Sequence, residues 1–270
     1  MPVDPSPSSS LSADYSRNAA AYAREWAPVL HAMARPLLDA LPLRGARRIL
    51  DLGCGTGVML SDIRAAAPRA LVLGIDRAEG MLRVAKQTQS ESVAVADARQ
   101  LCIRTRSIDA IAMIFVLFHV PDPTECLRDV RRVLKRKGRI GIVVWGHDPG
   151  APGASIWTEE LNREGAGPDP REAAVRQMGL MDTPDKLAHL IEQGGLSIVK
   201  VWAETMSHRW TFDSLLGYQL ACGSAARRLP SLDPDARVRC ERRVRERLAQ
   251  LGESQFDYRP EVLFAVARSN

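Results

Sequence analysis

The sequence has no Cys-x-x-Cys pair, no internal repeat, and no apolar run approaching the roughly 18 residues a membrane span needs. Its five cysteines (Cys54, Cys102, Cys126, Cys222 and Cys240) are odd in number and widely spaced. That argues against a disulfide framework and a structural zinc, and fits a reducing compartment. There is no G-x-x-x-x-G-K-[ST], which excludes a P-loop. The opening stretch MPVDPSPSSSLSAD has neither a basic nor an apolar segment, so no secretory signal is expected. Excess charge of one sign is also small: 37 Lys+Arg stand against 32 Asp+Glu in 270 residues, a net of +5. This admits a polyanionic partner without requiring one. What is present is 46% hydrophobic and 26% charged residues, enough for a substantial core, so global disorder is excluded. At roughly 150 residues per domain, the length predicts one large domain or two small ones. The expectation is a cytoplasmic globular protein.

Residues 1–13 are rich in Pro and Ser and read as a mobile tail. From Tyr15 to Leu41 apolar residues recur at helical spacing, broken by Pro28 and Pro36, which predicts two or three short helices. Then strands and helices alternate. Strands are predicted at 47–52, 70–76, 92–97, 108–117 and 139–146, with helices at 58–66, 80–87 and 123–134 and a turn at 135–138. Near-continuous apolar strands alternating with helices imply a doubly wound α/β fold, its parallel sheet covered on both faces. Residues 147–183 read as a loop with one or two short helices. Thr183 and Pro184 open a helix ended by Gly194-Gly195. A sixth strand at 196–206, helices at 213–225 and 234–250, and a last strand at 262–268 complete the chain.

The segment Ile49-Leu50-Asp51-Leu52-Gly53-Cys54-Gly55-Thr56-Gly57 closes the first strand and opens the first helix of this pattern. Its glycines permit a sharp turn and close approach of a ligand. The spacing is G-x-G-x-G, and Val58 stands where the dinucleotide fingerprint has its third glycine. Asp51 at the strand end suits an ammonium-bearing ligand better than a pyrophosphate, which it would repel. Asp76, at the end of the second strand, is placed to accept hydrogen bonds from ribose hydroxyls. Asp97, at the end of the third, is placed to accept one from an adenine amino group. Each acid alone is equally a helix cap or a turn residue. Three at successive strand ends, on the rim where such sheets bind ligands, point to a site.

These residues resemble the class I S-adenosylmethionine-dependent methyltransferases, in the small-molecule branch that includes quinone-biosynthesis and natural-product enzymes. ILDLGCGTG is similar to the first motif, GIDRAEGMLRVA (74–85) to the second, VADARQL (95–101) to the third, and FVLFHVPDPTECLRDVRRVLKRKGRI (115–140) to the fourth. Residues 47–146 carry most of the likeness. It implies a seven-stranded, mostly parallel sheet whose last strand inserts antiparallel between strands five and six. It also implies one domain over 14–270: a helical cap at 14–45, a cofactor core at 46–146, a substrate-cap insertion at 147–195, and C-terminal strands and helices at 196–270.

The resemblance further implies S-adenosylmethionine as cofactor. Asp51 with the Gly53–Cys54–Gly55–Gly57 loop would hold the methionine part and Asp76 the ribose. Arg77 or Met81 would flank the adenine, Asp97 with Ala98 would read it, and Ile114 and Phe115 would meet the ammonium end. Tyr22 is a candidate for the methionine carboxylate, or simply packs. The donor is already activated, so the protein need only align the acceptor, exclude water and, for an O–H or N–H acceptor, remove a proton. No metal is implied.

Strand four reads IFVLFH in place of the N/D-P-P-[YF] box of base and glutamine methylation, so nucleic-acid substrates are not expected. Gly53-Cys54-Gly55 also departs from the quinone enzymes' first motif, which lowers the weight of quinone carbon methylation. His119, after strand four, and His147, after strand five, are the candidate general bases; each is otherwise a packing or surface histidine. Trp145, Trp157 and Trp210 are candidate walls for an acceptor, or plain core. The resulting expectation is methyl transfer to a small, apolar or aromatic acceptor, with oxygen the favoured atom. Alternatives are an NAD-dependent oxidoreductase, disfavoured by Val58 and the lack of a Tyr-x-x-x-Lys pair, and an inactive cofactor-binding scaffold. The partner is a small molecule, and a homodimer is compatible.

The basic residues cluster. Residues 128–139 hold seven basic side chains against one acid, and 227–247 hold eight Arg against four acids. The first cluster suits the C-terminal end of a helix, away from the ligand rim. The second is either a solvated amphipathic helix or a lining of the site's mouth.

Overall fold

The computed structural model of the chain describes residues 7–88, 92–150, 152–171 and 176–270. A first strand, β1 (Arg48–Leu52), is followed by α3 (Leu60–Ala66), β2 (Leu71–Asp76), α4 (Glu79–Thr88) and β3 (Ser92–Val95). Then come β4 (Ile108–Ile114), α5 (Pro123–Val133) and β5 (Leu134–Trp145). Two helices precede them, α1 (Pro7–Glu25) and α2 (Ala27–Ala40). After β5 run α6 (Ala154–Arg163), α7 (Pro184–Gln193), β6 (Ser197–Thr205), β7 (His208–Arg209), α8 (Phe212–Ala221), α9 (Ser224–Arg228), α10 (Pro234–Leu248), β8 (Asp257–Tyr258) and β9 (Glu261–Arg268).

The main sheet has the order β3-β2-β1-β4-β5-β9-β6. β1 through β5 are parallel, and β9 runs antiparallel between β5 and β6. This is the arrangement the resemblance implied. β4, β9, most of β1 and the second half of β5 (140–145) are buried on both faces, which is why those stretches are nearly continuously apolar. β3 and β6 are edges, with Val95 and Val199 exposed.

Local signals explain the helices. Asp122 caps α5 through Glu125 N at 2.8 Å, with Pro123 in the first turn. α5 then buries Cys126, Leu127, Val130 and Val133. Thr183 caps α7 through Lys186 N, as its sequence predicts.

Four expectations change. Of the tail expected over 1–13, residues 1–6 lie outside those described, and from Pro7 the chain is helical; α1 docks on α4 and α8. The turn at 135–138 is absorbed into β5 because Lys137 takes φ +63° and donates its N–H to Ser269 O, which keeps the strand paired. The single helix expected at 213–225 is two, α8 and α9, parted at Cys222-Gly223. A small second sheet, β7 with β8, has no signal in periodicity because each strand is two residues long.

α1 lies close on α4. Ser16 Oγ accepts from Gly80 N at 3.2 Å, and a Cβ added at Gly80 would stand 2.2 Å from Ser16 O. Gly80 stands in the first turn of α4, where its missing Cβ allows the approach of a second backbone.

Candidate active site

The parallel strands β1, β2, β4 and β5 end on one rim, and the loop after β1 is wound to meet it. Gly53 has φ +80°, and a Cβ there would lie 2.2 Å from Val116 Cγ2, so only glycine fits. The N–H groups of Gly53 and Cys54 both donate to Ile75 O, at 2.6 and 3.0 Å. Gly55 N donates to Asp76 Oδ2 at 2.9 Å, and Ala78 N to Oδ1 at 2.8 Å. Three amides of the loop are thus engaged with the end of β2. The loop can meet a ligand with carbonyl oxygens and bare Cα atoms, which suits an ammonium better than a phosphate.

Three cavities open on this rim. One, of about 810 Å³, runs between the β1 and β2 ends and is lined by Gly53, Gly55, Asp76, Arg77, Met81, Asp97 and Ala98, with Tyr15 and His119. A second, of about 400 Å³, holds Asp51, Cys54, Gly55 and Ile114. A third, of about 1180 Å³, lies under α1, α8 and the segment after β5; Trp145, His119, Tyr218 and Arg171 line it. Tyr22 and Phe115 border all three. Phe115 sits at φ +55°, a conformation that costs a bulky residue roughly 1–3 kcal/mol and that clusters at functional sites. Its ring packs 4.3 Å from that of Trp145.

The acids differ in kind. Asp51 is buried, and its Oδ2 has no hydrogen-bond partner among the described residues. Burial, then the nearby Asp76, raises its pKa to about 7. Asp76 is also raised, by burial, against the two amides that hold it. Both carboxylates want a cation or donors from a ligand. Asp97 is already answered. Arg99 forks onto it, with Nη2 to Oδ2 at 2.8 Å, Arg77 stands at 3.8 Å, and the Arg99 bond holds its pKa low. It lines the cavity as a salt-bridged rim.

His119 stands at the wall between the first and third cavities. Its Nε2 lies 3.2 Å from Tyr15 Oη, and its Nδ1 is buried without a partner among the described residues. Burial, then Arg171, pushes its pKa down to about 3, so the ring is neutral. Opposite it, Trp26 stacks with Trp145, Trp210 and Tyr218 at centroid distances of 6.2, 6.1 and 4.7 Å.

Several predicted residues fall elsewhere. His147 is exposed, its backbone paired with Glu261, and it borders none of the three cavities. Trp157 is buried in α6, its Nε1 without a hydrogen-bond partner among the described residues, and lines none of them; Trp210 supports the aromatic stack from behind. Gly57, at φ +78°, shapes the loop without facing a cavity. The second basic cluster does not line the mouth. Arg243 and Arg247 bind Glu160 at 2.6 and 2.8 Å, and Arg239 binds Glu164, fastening α10 to α6. Arg227 alone of that cluster reaches the third cavity. Sequence reasoning missed Arg171 and Asp148 in this cavity. No periodic signal marks either, and both lie in Gly/Pro-rich chain.

Comparison with known proteins agrees with this geometry. The model of the family described as a methyltransferase domain matches residues 50–142. The chain is 30% identical over 174 residues to a demethylmenaquinone methyltransferase of Streptomyces avermitilis, covering 61% of this chain and 74% of that one. It is 32% identical over 133 residues to a ubiquinone biosynthesis O-methyltransferase of Pseudomonas aeruginosa, covering 43% and 56%. Across the first curated relatives the chain spans from 32% to 74% of their length. The solved structure of the YcgJ protein from Bacillus subtilis superposes with a TM-score of 0.56 at 18% identity over 89% of this chain and 99% of that one, which shows the same fold. The match runs through β1 to β5, the strands whose ends carry Asp51, Asp76 and Phe115, and on it the chain belongs to the class I S-adenosylmethionine-dependent methyltransferases.

Proposed function

We propose that this chain binds S-adenosylmethionine across the first two cavities and transfers its methyl group to an oxygen of a small aromatic or apolar acceptor in the third. The observation that carries the reading is the meeting of three cavities at Tyr22 and Phe115, with a buried carboxylate, Asp51, whose Oδ2 has no hydrogen-bond partner among the described residues, in the smallest of the three. A ligand with an ammonium at one end and a ribose at the other satisfies Asp51 and Asp76 together, and leaves its middle at the junction. The cofactor, when bound, supplies a methyl group already activated on a sulfonium. The protein's part is then alignment and exclusion of water. Phe115 and Tyr22 wall the junction, the Trp26–Trp145 stack offers an aromatic face, and α1 covers the cleft.

Proton removal belongs to His119, the imidazole bordering both the donor and the acceptor cavities. Its ring is neutral, with a pKa of about 3 that leaves it a weak base until a bound acceptor changes its surroundings, and Tyr15 fixes its orientation. His147 takes no part. The names of the relatives, which act on quinone precursors, support a small ring-bearing acceptor and leave carbon methylation as the second reading.

The test is calorimetry with S-adenosylhomocysteine and NADH, followed by mass analysis of products from S-adenosylmethionine and a panel of aromatic hydroxyl compounds. Binding of S-adenosylhomocysteine and gain of one methyl on oxygen are expected. Binding of NADH alone would support the oxidoreductase instead, and binding without turnover on any acceptor the scaffold.

A further inference from the structure

The third cavity contains a guanidinium that makes no ion pair among the described residues, although Asp169 and Asp14 stand near enough to favour its charge. Arg171 lies on its wall, and its Nε is buried with no hydrogen-bond partner among the described residues. Its guanidinium carbon stands 5.7 Å from the centroid of the Tyr15 ring. The other charged groups of the cavity are engaged. Arg227 grips Asp169, with Nη2 to Oδ2 at 2.6 Å and Nε to Oδ1 at 2.8 Å. Asp148 takes the hydroxyl of Tyr258 and the amide of Gly150; Asp14 takes Asn18 and Arg17. Asp169, close to Arg171 in sequence, accepts from its backbone N–H and not from its guanidinium. A buried guanidinium N–H without an acceptor is costly, and such a group in a cavity waits for a ligand.

We propose that the acceptor is an aromatic acid whose carboxylate is held by Arg171, with the hydroxyl to be methylated at its other end, beside His119. This rests on the methyl-transfer reading and adds the substrate's charge to it. The aromatic stack of Trp26, Trp145 and Tyr218 supplies the flat wall between the two ends. One guanidinium without an ion pair among the described residues matches the single charge of a carboxylate, and the nearby Asp169 and Asp14 would repel the double charge of a phosphate more strongly. The same arrangement links recognition to chemistry. Arg171 is one of the two influences that hold His119 neutral, the larger being burial. A carboxylate that answers Arg171 therefore makes the imidazole more basic when an acceptor is in place. The phenolic O–H bond then breaks with its proton going to His119, the new O–CH3 bond forms as the S–CH3 bond breaks, and the sulfonium leaves as a neutral thioether.

The experiment uses the full chain saturated with S-adenosylhomocysteine and titrates 3,4-dihydroxybenzoate, 3,4-dihydroxybenzamide and phenyl phosphate by calorimetry, in wild type, Arg171→Met and Arg171→Lys. The acid is expected to bind about tenfold or more tighter than the amide in wild type, the worth of a charged hydrogen bond. Arg171→Met should abolish that preference with amide affinity within about twofold, and Arg171→Lys should keep part of it. Unchanged affinity for S-adenosylhomocysteine shows that the variants are folded. Equal binding of acid and amide in wild type, an indifferent Arg171→Met, tighter binding of phenyl phosphate, or no binding of any probe would each overturn the inference and leave methyl transfer standing. Failure of S-adenosylhomocysteine itself to bind would overturn the methyl-transfer reading, and this inference with it.

Discussion

The hydroxyl of Tyr15 lies 3.2 Å from Nε2 of His119, joining α1 to the loop after β4 across 104 residues of chain. The lid helix therefore orients the imidazole on which proton removal depends. Tyr15→Phe keeps the ring and deletes the bond. It should lower kcat/KM by about 10–100-fold, the cost of leaving a buried nitrogen unpartnered, with S-adenosylhomocysteine affinity changed less than about threefold. Steady-state kinetics beside calorimetry check this; an unchanged kcat/KM would reduce the contact to packing.

Cofactor affinity should depend on pH through Asp51. Without ligand, burial and Asp76 keep a proton on this carboxyl up to about pH 7. An ammonium binds the ionised form, so binding expels that proton. Affinity is therefore full above about 7 and falls below it, by at most about tenfold per pH unit. Asp51→Asn should flatten the profile between about pH 5 and 7 and weaken binding at about pH 7.5. A wild-type profile as flat as the variant's would remove Asp51 from the ammonium site.

Gly80→Ala sets two effects against each other. Alanine favours the helix by less than the roughly 1 kcal/mol of an interior position, because residue 80 lies in the first turn of α4, and the new Cβ would meet Ser16 O at 2.2 Å and Ser16 Cα at 2.6 Å. Backbone cannot rotate away as a side chain does, and such overpacking costs about 1–3 kcal/mol. α1 should lift from α4, seen as faster tryptic cleavage at Arg17 and Arg24 and weaker cofactor binding. A variant with higher Tm and intact α1 would refute the close approach.

Glu160→Gln tests the fastening of α6 to α10. Burial opposes ionisation of Glu160, but Arg243 and Arg247 outweigh it and hold its pKa below 4.5. The folded pKa lies below the unfolded one, so this stabilisation is present above about 4.5 and is lost as pH falls. The partners are partly exposed, so the variant should lose about 1–3 kcal/mol at pH 7, with a smaller gap at about pH 4, where the carboxyl begins to take up its proton. Urea unfolding at both values measures it; a gap independent of pH would assign the effect to packing.

The strand-end acids were readable because each sits where an apolar run meets a glycine or a turn, and a parallel sheet brings such ends to one rim. Asp97 shows the limit. Its position was legible, but its pairing with Arg99, two residues on, depends on side-chain direction. Trp157 and Trp145 look alike in sequence, yet one is enclosed in α6 packing and the other faces the cavity; periodicity cannot separate an apolar wall from an apolar core. Arg171 was missed because what singles it out, a buried Nε with no hydrogen-bond partner among the described residues, exists only once the rest of the cavity has closed around it.

The antiparallel strand has a consequence for how the chain reaches this state. β6 joins the sheet only through β9, so during synthesis it must wait, unpaired, for residues 261–268. Contacts between β6 and β9 close a loop of roughly fifty residues or more, and such distant pairings form late and slowly. Until then Val199 and Trp202 stand on an open strand edge, the kind that invites pairing with another chain. Pairing with β9 closes one side of β6 and leaves the other as the sheet's edge, with Val199 still exposed, so the last strand halves this exposure and does not end it.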